Sequence, residues 1–74
     1  MDLRVINMDR DEHITIKTKT VKKPVSMHLH SYYELEMVLE GSGEQNLNGT
    51  VYSLEKGSIY FLTPIDFHSI TPKS

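Results

Sequence analysis

The stretch Met27–Gly41, MHLHSYYELEMVLEG, decides how the rest of the chain is read. It places His28, His30 and Glu34 within seven residues, then runs through a strand-like segment to Gly41. Side chains on a strand alternate between faces, so His28 and His30, two apart, are expected on one face of one strand. Glu34 lies beyond a short corner at Ser31 and Tyr32 and can return to that face. Near the other end, His68 follows the segment from Gly57 to Pro64. Three imidazoles and one carboxylate suit a divalent transition metal such as zinc, manganese, iron or nickel. Such an ion needs its donors brought to about 2.0–2.2 Å, which residues on adjacent strands of a barrel can do.

A plainer reading competes with this one. Histidines two apart occur by chance, and surface histidines on strands are ordinary. The parity of the Tyr33–Glu40 segment separates the two. If Leu35, Met37 and Leu39 face a core, Glu34, Glu36 and Glu40 face water. If Glu34 faces a pocket, Leu35, Met37 and Leu39 face outward and need a cover. The alternation itself is compatible with both.

Outward from this stretch, the pattern is all strand. No window carries apolar residues at three- and four-residue spacing over ten positions, so no helix is expected. Leu3–Ile6 reads as a short first strand and Asn7–Asp11 as a polar turn. His13–Val21 alternates well, with Ile14, Ile16, Thr18 and Thr20 on one face and Lys17 and Lys19 on the other. Lys17, Lys19, Lys22 and Lys23 form the one basic cluster, which reads as a solvated face. Pro24 ends that strand. After Tyr33–Glu40, Gly41-Ser42-Gly43 supplies a turn from which Glu44–Leu47 pairs back. Asn48-Gly49 is a strong hairpin signal, because both residues tolerate positive φ. Thr50–Leu54, Ser58–Thr63 and His68–Thr71 complete the series. Short strands at intervals of about ten residues argue for a sandwich or barrel.

With 74 residues, the chain holds one small domain. At that length it buries only about 60% of its unfolded surface, so its stability is marginal. The absence of cysteine excludes a disulfide framework and a thiolate metal site, and suits a reducing cytoplasm. Met1–Met8 is polar and charged, unlike a signal peptide, and the apolar runs are too short to span a bilayer. A net charge of −2 gives no nucleic-acid surface.

The residues match a family pattern. His28-Leu-His30-x-x-x-Glu34, followed by six residues and Gly41, resembles the first cupin motif, and Gly57-Ser-Ile-Tyr-Phe-Leu-Thr-Pro64-Ile-Asp-Phe-His68 resembles the second. More narrowly, YYELEMVLEGSGEQNLNGTVYSLEKGSIYFLTPIDFHSI is similar to the N-terminal sensing domains of AraC-type transcription regulators. The resemblance covers Val25 to Ile70. In the general second motif a glycine stands where this chain has Asp66, and the histidine comes one residue later. Pro72 replaces an asparagine. The shortened form favours a regulator over an enzyme.

This resemblance implies a small cupin-like, jelly-roll (double-stranded β-helix) barrel, incomplete in this chain, over residues 1–74. Residues 1–24 would supply the arm and first strands, and 25–70 the cupin motifs. It implies that His28, His30, Glu34 and His68 line one end of the barrel and would hold the metal, if one is bound. Glu36, on the face of Glu34, would contact a hydroxylated effector such as a sugar, and Tyr60 or Phe61 would add an apolar wall. Tyr32 and Tyr33 are expected to pack in the core. The expected function is effector sensing and dimerisation, with DNA contacted through helix-turn-helix units absent from these residues. Open strand edges would invite a second copy. The alternative is a small metal-dependent cupin enzyme, an isomerase or dioxygenase.

Overall fold

Period-two alternation runs through nearly every element. In a computed structural model, which describes residues 1–73, it becomes eight strands. These are β1 (Leu3–Arg10), β2 (Ile14–Val21), β3 (Val25–His28), β4 (Tyr33–Glu40), β5 (Gly43–Leu47), β6 (Thr50–Leu54), β7 (Ile59–Leu62) and β8 (His68–Pro72). Two four-stranded sheets, ordered β2-β1-β4-β7 and β3-β8-β5-β6, pair antiparallel throughout. The chain is thus an all-β, cupin-like fold, as the pattern predicts. Among the described residues no helix is long and apolar enough to cross a membrane.

Only β1–β2 and β5–β6 are hairpins within one sheet; every other connection crosses to the opposite sheet. Asn48 (φ 54°) and Gly49 (φ 91°) form the tight β5–β6 turn expected of Asn-Gly. Gly41 does something different from the simple turn predicted. β5 does not pair back on β4 but lies in the other sheet, between β8 and β6. Gly41, at φ 80°, makes that crossing so close to the first strand that a Cβ would stand 2.5 Å from the Asp2 carbonyl oxygen. Gly41→Ala is therefore expected to cost about 2 kcal/mol in strain and displacement, read as a lower urea midpoint. Gly49→Ala tests the positive φ alone, because nothing lies within 4 Å of its Cβ position.

The parity of β4 is settled by the facing sheet. Glu34, Glu36 and Val38 point inward and are buried, while Tyr33, Leu35 and Met37 point outward and are exposed. Leu39 sits at a register shift, where Arg4 pairs with Glu40 but Val5 with Val38. The first strand also runs further than expected. Asn7–Arg10 is not a turn but the second half of β1, with Asn7 and Asp9 continuing the inward series of Leu3 and Val5. Polar residues read as a turn because nothing local shows that they face a polar interior.

The interior is divided along its length. Leu3, Val5, Val21, Val38, Leu54 and Ile70 form an apolar core at one end, with Val25 and Tyr60 packed against it. Towards the other end the same strands turn polar: Asn7, Asp9, Glu34, Glu36, Gln45 and His68 are all buried. Lys17 and Lys19 are exposed, as predicted, but stand on the inner face of the edge strand β2, opposite Asn7 and Val5. Their ammonium groups reach towards the polar half rather than away from it.

Candidate functional site

Two strand ends and one corner build the histidine cluster. His28 closes β3 and pairs with His68, the first residue of β8. His30 lies beyond the end of β3, in the corner leading to β4, so the two histidines are not on one strand as the spacing suggests. Their rings nevertheless converge. The His28 and His68 centroids are 4.5 Å apart and those of His30 and His68 5.2 Å. One ring nitrogen from each of the three lies within 4.8 Å of the others. Glu34 brings Oε1 to 3.8 Å from His30 Nε2.

The rings are oriented from behind. His28 Nδ1 donates to the Ser26 carbonyl at 2.7 Å, and His68 Nδ1 donates to Gln45 Oε1 at 2.8 Å. Each bond leaves Nε2 as the nitrogen with the free lone pair, the arrangement that outer partners impose on metal-binding histidines. His68 is held neutral, its pKa lowered from 6.5 to about 4 by burial first and then by His28 and His30. Tyr32 stacks on His30 at a centroid distance of 4.4 Å.

How His68 arrives depends on a residue that breaks the general motif. Asp66 Oδ2 accepts from the Thr63 amide at 2.8 Å and from its hydroxyl at 3.0 Å, and Oδ1 accepts from Asn48 Nδ2 at 2.8 Å. Asn48 Oδ1 in turn accepts from the Phe67 amide at 3.0 Å. These bonds hold the Asp66 carboxyl below the usual carboxylate range. They clamp the β7–β8 corner to the β5–β6 turn immediately before His68, the first residue of β8.

Beside the histidines lies an acidic, under-partnered layer. Asp9 stands opposite Glu34 and Asn7 opposite Glu36. Both Asn7 amide atoms, both Glu36 oxygens, Asp9 Oδ1, Gln45 Nε2 and His30 Nδ1 are buried without a hydrogen-bond partner among the described residues. Such groups cost free energy unless something pairs with them. Glu36 is pushed up from 4.5 to about 7, by burial first and then by the charge of Glu34; the Gln45 amide offsets part of this without a full hydrogen bond. Asp9 rises from 3.8 to about 6, again through burial and then Glu34, despite Lys17 Nζ at 3.7 Å. An open hollow of about 300 Å³, lined by Asp9, Asp11, His13, Thr15, Lys17 and Tyr32, shares Asp9 with this layer.

The remaining candidates sort differently. Tyr60 points inward opposite Glu36 and donates its hydroxyl to the Ser53 carbonyl at 3.2 Å, standing where the apolar half meets the polar half. Burial, then Glu36 and Tyr52, raise its pKa. Phe61 and Tyr33 point outward and stack on each other at 6.0 Å, so Tyr33 packs on the outer face and not in the core. The sequence reading missed Asn7, Asp9 and Gln45. The inward series Leu3, Val5, Asn7, Asp9 was the available signal for the first two.

A double sheet with a buried polar half suits the binding of a small polar ligand, and His28, His30 and His68 stand close enough together that they could hold a metal ion. Comparison with known proteins gives the family. Residues 21–74 match the AraC-like ligand binding domain, and the chain belongs to that family. Over 63 residues it is 29% identical to the HTH-type transcriptional activator RhaR of Salmonella arizonae, covering 85% of this chain and 22% of that protein. Over 55 residues it is 31% identical to the HTH-type transcriptional activator RhaS of Yersinia pestis and likewise to that of Yersinia pseudotuberculosis, covering 74% of this chain and 20% of each relative. The chain thus spans about a fifth of the length of the curated relatives it matches. No solved structure matches it.

Proposed function

We propose that the chain senses a small polar effector for a transcription regulator, acts as a homodimer in the cytoplasm and catalyses no reaction. DNA would be contacted by parts outside these residues. The observation that carries this reading is the buried, unpartnered layer of Asn7, Asp9, Glu36 and Gln45 beside an open hollow. Its carboxylates disfavour an anion, while amides and carboxyls together satisfy the hydroxyls of a neutral polyol such as a sugar. Tyr60 supplies an apolar boundary, and His68 adjoins the layer through its bond to Gln45.

The histidine cluster fits a divalent transition metal. Two nitrogens about 2.1 Å from one ion lie roughly 3.0–3.4 Å apart at octahedral to tetrahedral angles. His30 Nε2 and His68 Nε2 are 3.2 Å apart. His28, His30 and His68 would hold the ion; Glu34, expected as a fourth donor, approaches only His30, at 3.8 Å, and lies outside the converging group. Bound there, it would supply a Lewis-acidic position for an effector oxygen.

The test is calorimetric titration with a panel of neutral monosaccharides and their sugar-acid counterparts. Binding of at least one neutral sugar, weakened about 10-fold or more by Asn7→Leu and untouched by Ile65→Ser on the exposed corner, is the expected result. Preference for the acids, or binding indifferent to Asn7, would sink the reading.

A further inference from the structure

The chain has one Asn-Gly pair, Asn48-Gly49, and it stands in the β5–β6 turn that meets the corner before His68. This dipeptide carries a chemistry of its own. When the Gly49 amide nitrogen gives up its proton to solvent base, it can attack Asn48 Cγ. Ammonia then leaves, a cyclic imide closes, and water opens that imide to aspartate or isoaspartate. No oxidant, cofactor or second protein is required. Glycine favours the attack because it brings no Cβ to the approach. Asn7 and Asn46 precede Met8 and Leu47, whose side chains hinder it.

In the fold, the groups this reaction needs are engaged elsewhere. The Gly49 amide donates to Asn46 Oδ1 at 3.0 Å. Asn48 Nδ2, the leaving nitrogen, donates to Asp66 Oδ1 at 2.8 Å, and Asn48 Oδ1 accepts from the Phe67 amide at 3.0 Å. The Asn48 backbone amide donates to the Phe67 carbonyl at 2.9 Å, so the turn itself is tied to that corner. The attacking nitrogen thus faces another acceptor while the side-chain amide is held at both ends. Reaction waits for the turn to open.

The product no longer fits the contact that the reactant makes. Aspartate has acceptors and no donor, so it can keep the Phe67 bond but sets an oxygen against Asp66 Oδ1. The Asp66 carboxyl, held below the usual carboxylate range, is itself charged, and two like charges then meet at hydrogen-bond distance. Isoaspartate adds a backbone carbon to a two-residue turn and shifts the Leu47–Thr50 pairing. We propose that Asn48 is a latent deamidation site, shielded while the two turns are clamped, whose conversion releases the corner that carries His68. The proposal stands apart from the effector and metal readings above.

Incubating the chain in mildly alkaline heavy-oxygen water, folded and in urea, and mapping its peptides by mass tests the shielding. Oxygen uptake at Asn48 is expected in both, at least about 10-fold slower in the folded chain, because a reaction of the open state follows that state's population. Equal rates would overturn the shielding. Uptake in neither, or first at Asn7 or Asn46, would overturn the site. Asn48→Asp tests the release: it should lower the urea midpoint and move the His68 ring resonances in NMR spectra. Adding Asp66→Asn should restore both, since the new amide donates across the gap while its oxygen keeps the Thr63 bonds. An Asn48→Asp chain that fails to fold is read through the same rescue. A single variant that behaves as the native chain, or one that Asp66→Asn does not rescue, would overturn the release.

Discussion

His68→Ala is expected to lower transition-metal affinity by at least ~100-fold, and Gln45→Ala by about 10- to 100-fold, although Gln45 touches no ion. His68 is nearly enclosed and neutral down to about pH 4, so it offers its lone pair across the whole neutral range. Gln45 Oε1 accepts a hydrogen bond from the other ring nitrogen, Nδ1, which keeps Nε2 turned towards His30. Without that bond the ring can take the opposite tautomer or swing away, and the site must be organised by the ion itself. Competition of the purified chain against a fluorescent zinc chelator measures both effects, with His13→Ala as the exposed control. Equal affinity in the native chain, His68→Ala and His13→Ala would remove the metal from the proposal. Loss in His68→Ala with none in Gln45→Ala would show that the ion orients the ring unaided.

Glu36→Gln is expected to stabilise the metal-free chain by about 3 kcal/mol at pH 8 and by almost nothing at pH 4. The carboxyl is fully enclosed, both oxygens lack partners, and its pKa moves from 4.5 to about 7 on folding. Between these values the folded chain holds a proton that the unfolded chain has released. Stability from this group is therefore complete below about pH 4.5 and lost as pH rises through 7. His68 works in the opposite direction: its pKa falls from 6.5 to about 4, so its contribution is present above 6.5 and lost on acidification towards 4. The two oppose each other in the same window, and the native chain should show a flatter pH profile than either Glu36→Gln or a His68 variant. Urea unfolding at pH 4, 6 and 8 reads this directly. A Glu36→Gln gain that is the same at pH 4 and pH 8 would mean that packing, not charge burial, sets the effect. A residue kept at such a cost in stability is consistent with a functional role, since marginal domains of this size have little to spare.

Much of the candidate site is legible in the sequence. His28, His30 and Glu34 carry a recognisable spacing, and His68 follows a glycine-to-proline segment, so the four could be named together. What could not be read was how they meet. His30 reaches the cluster from a corner rather than a strand, and His68 is delivered by the Asp66–Asn48 clamp, a contact between two turns 18 residues apart. Gln45 was invisible for the same reason, because an orienting partner has no spacing of its own.

The sequence by itself determined the strand periodicity, the Asn48-Gly49 turn, the breaks at Pro24 and Pro64, and the candidate histidines. These are local: alternation, positive φ and the missing proline amide act within a few residues. The tertiary structure alone decided which face of β4 is inside, that Asn7 and Asp9 belong to a strand, and that β5 leaves its neighbour for the other sheet. Alternation of period two looks the same whichever face is buried, so only the opposing sheet could break the tie. It did so by enclosing Glu34 and Glu36 and leaving Leu35 and Met37 outside, which created the polar interior and the apolar outer face together.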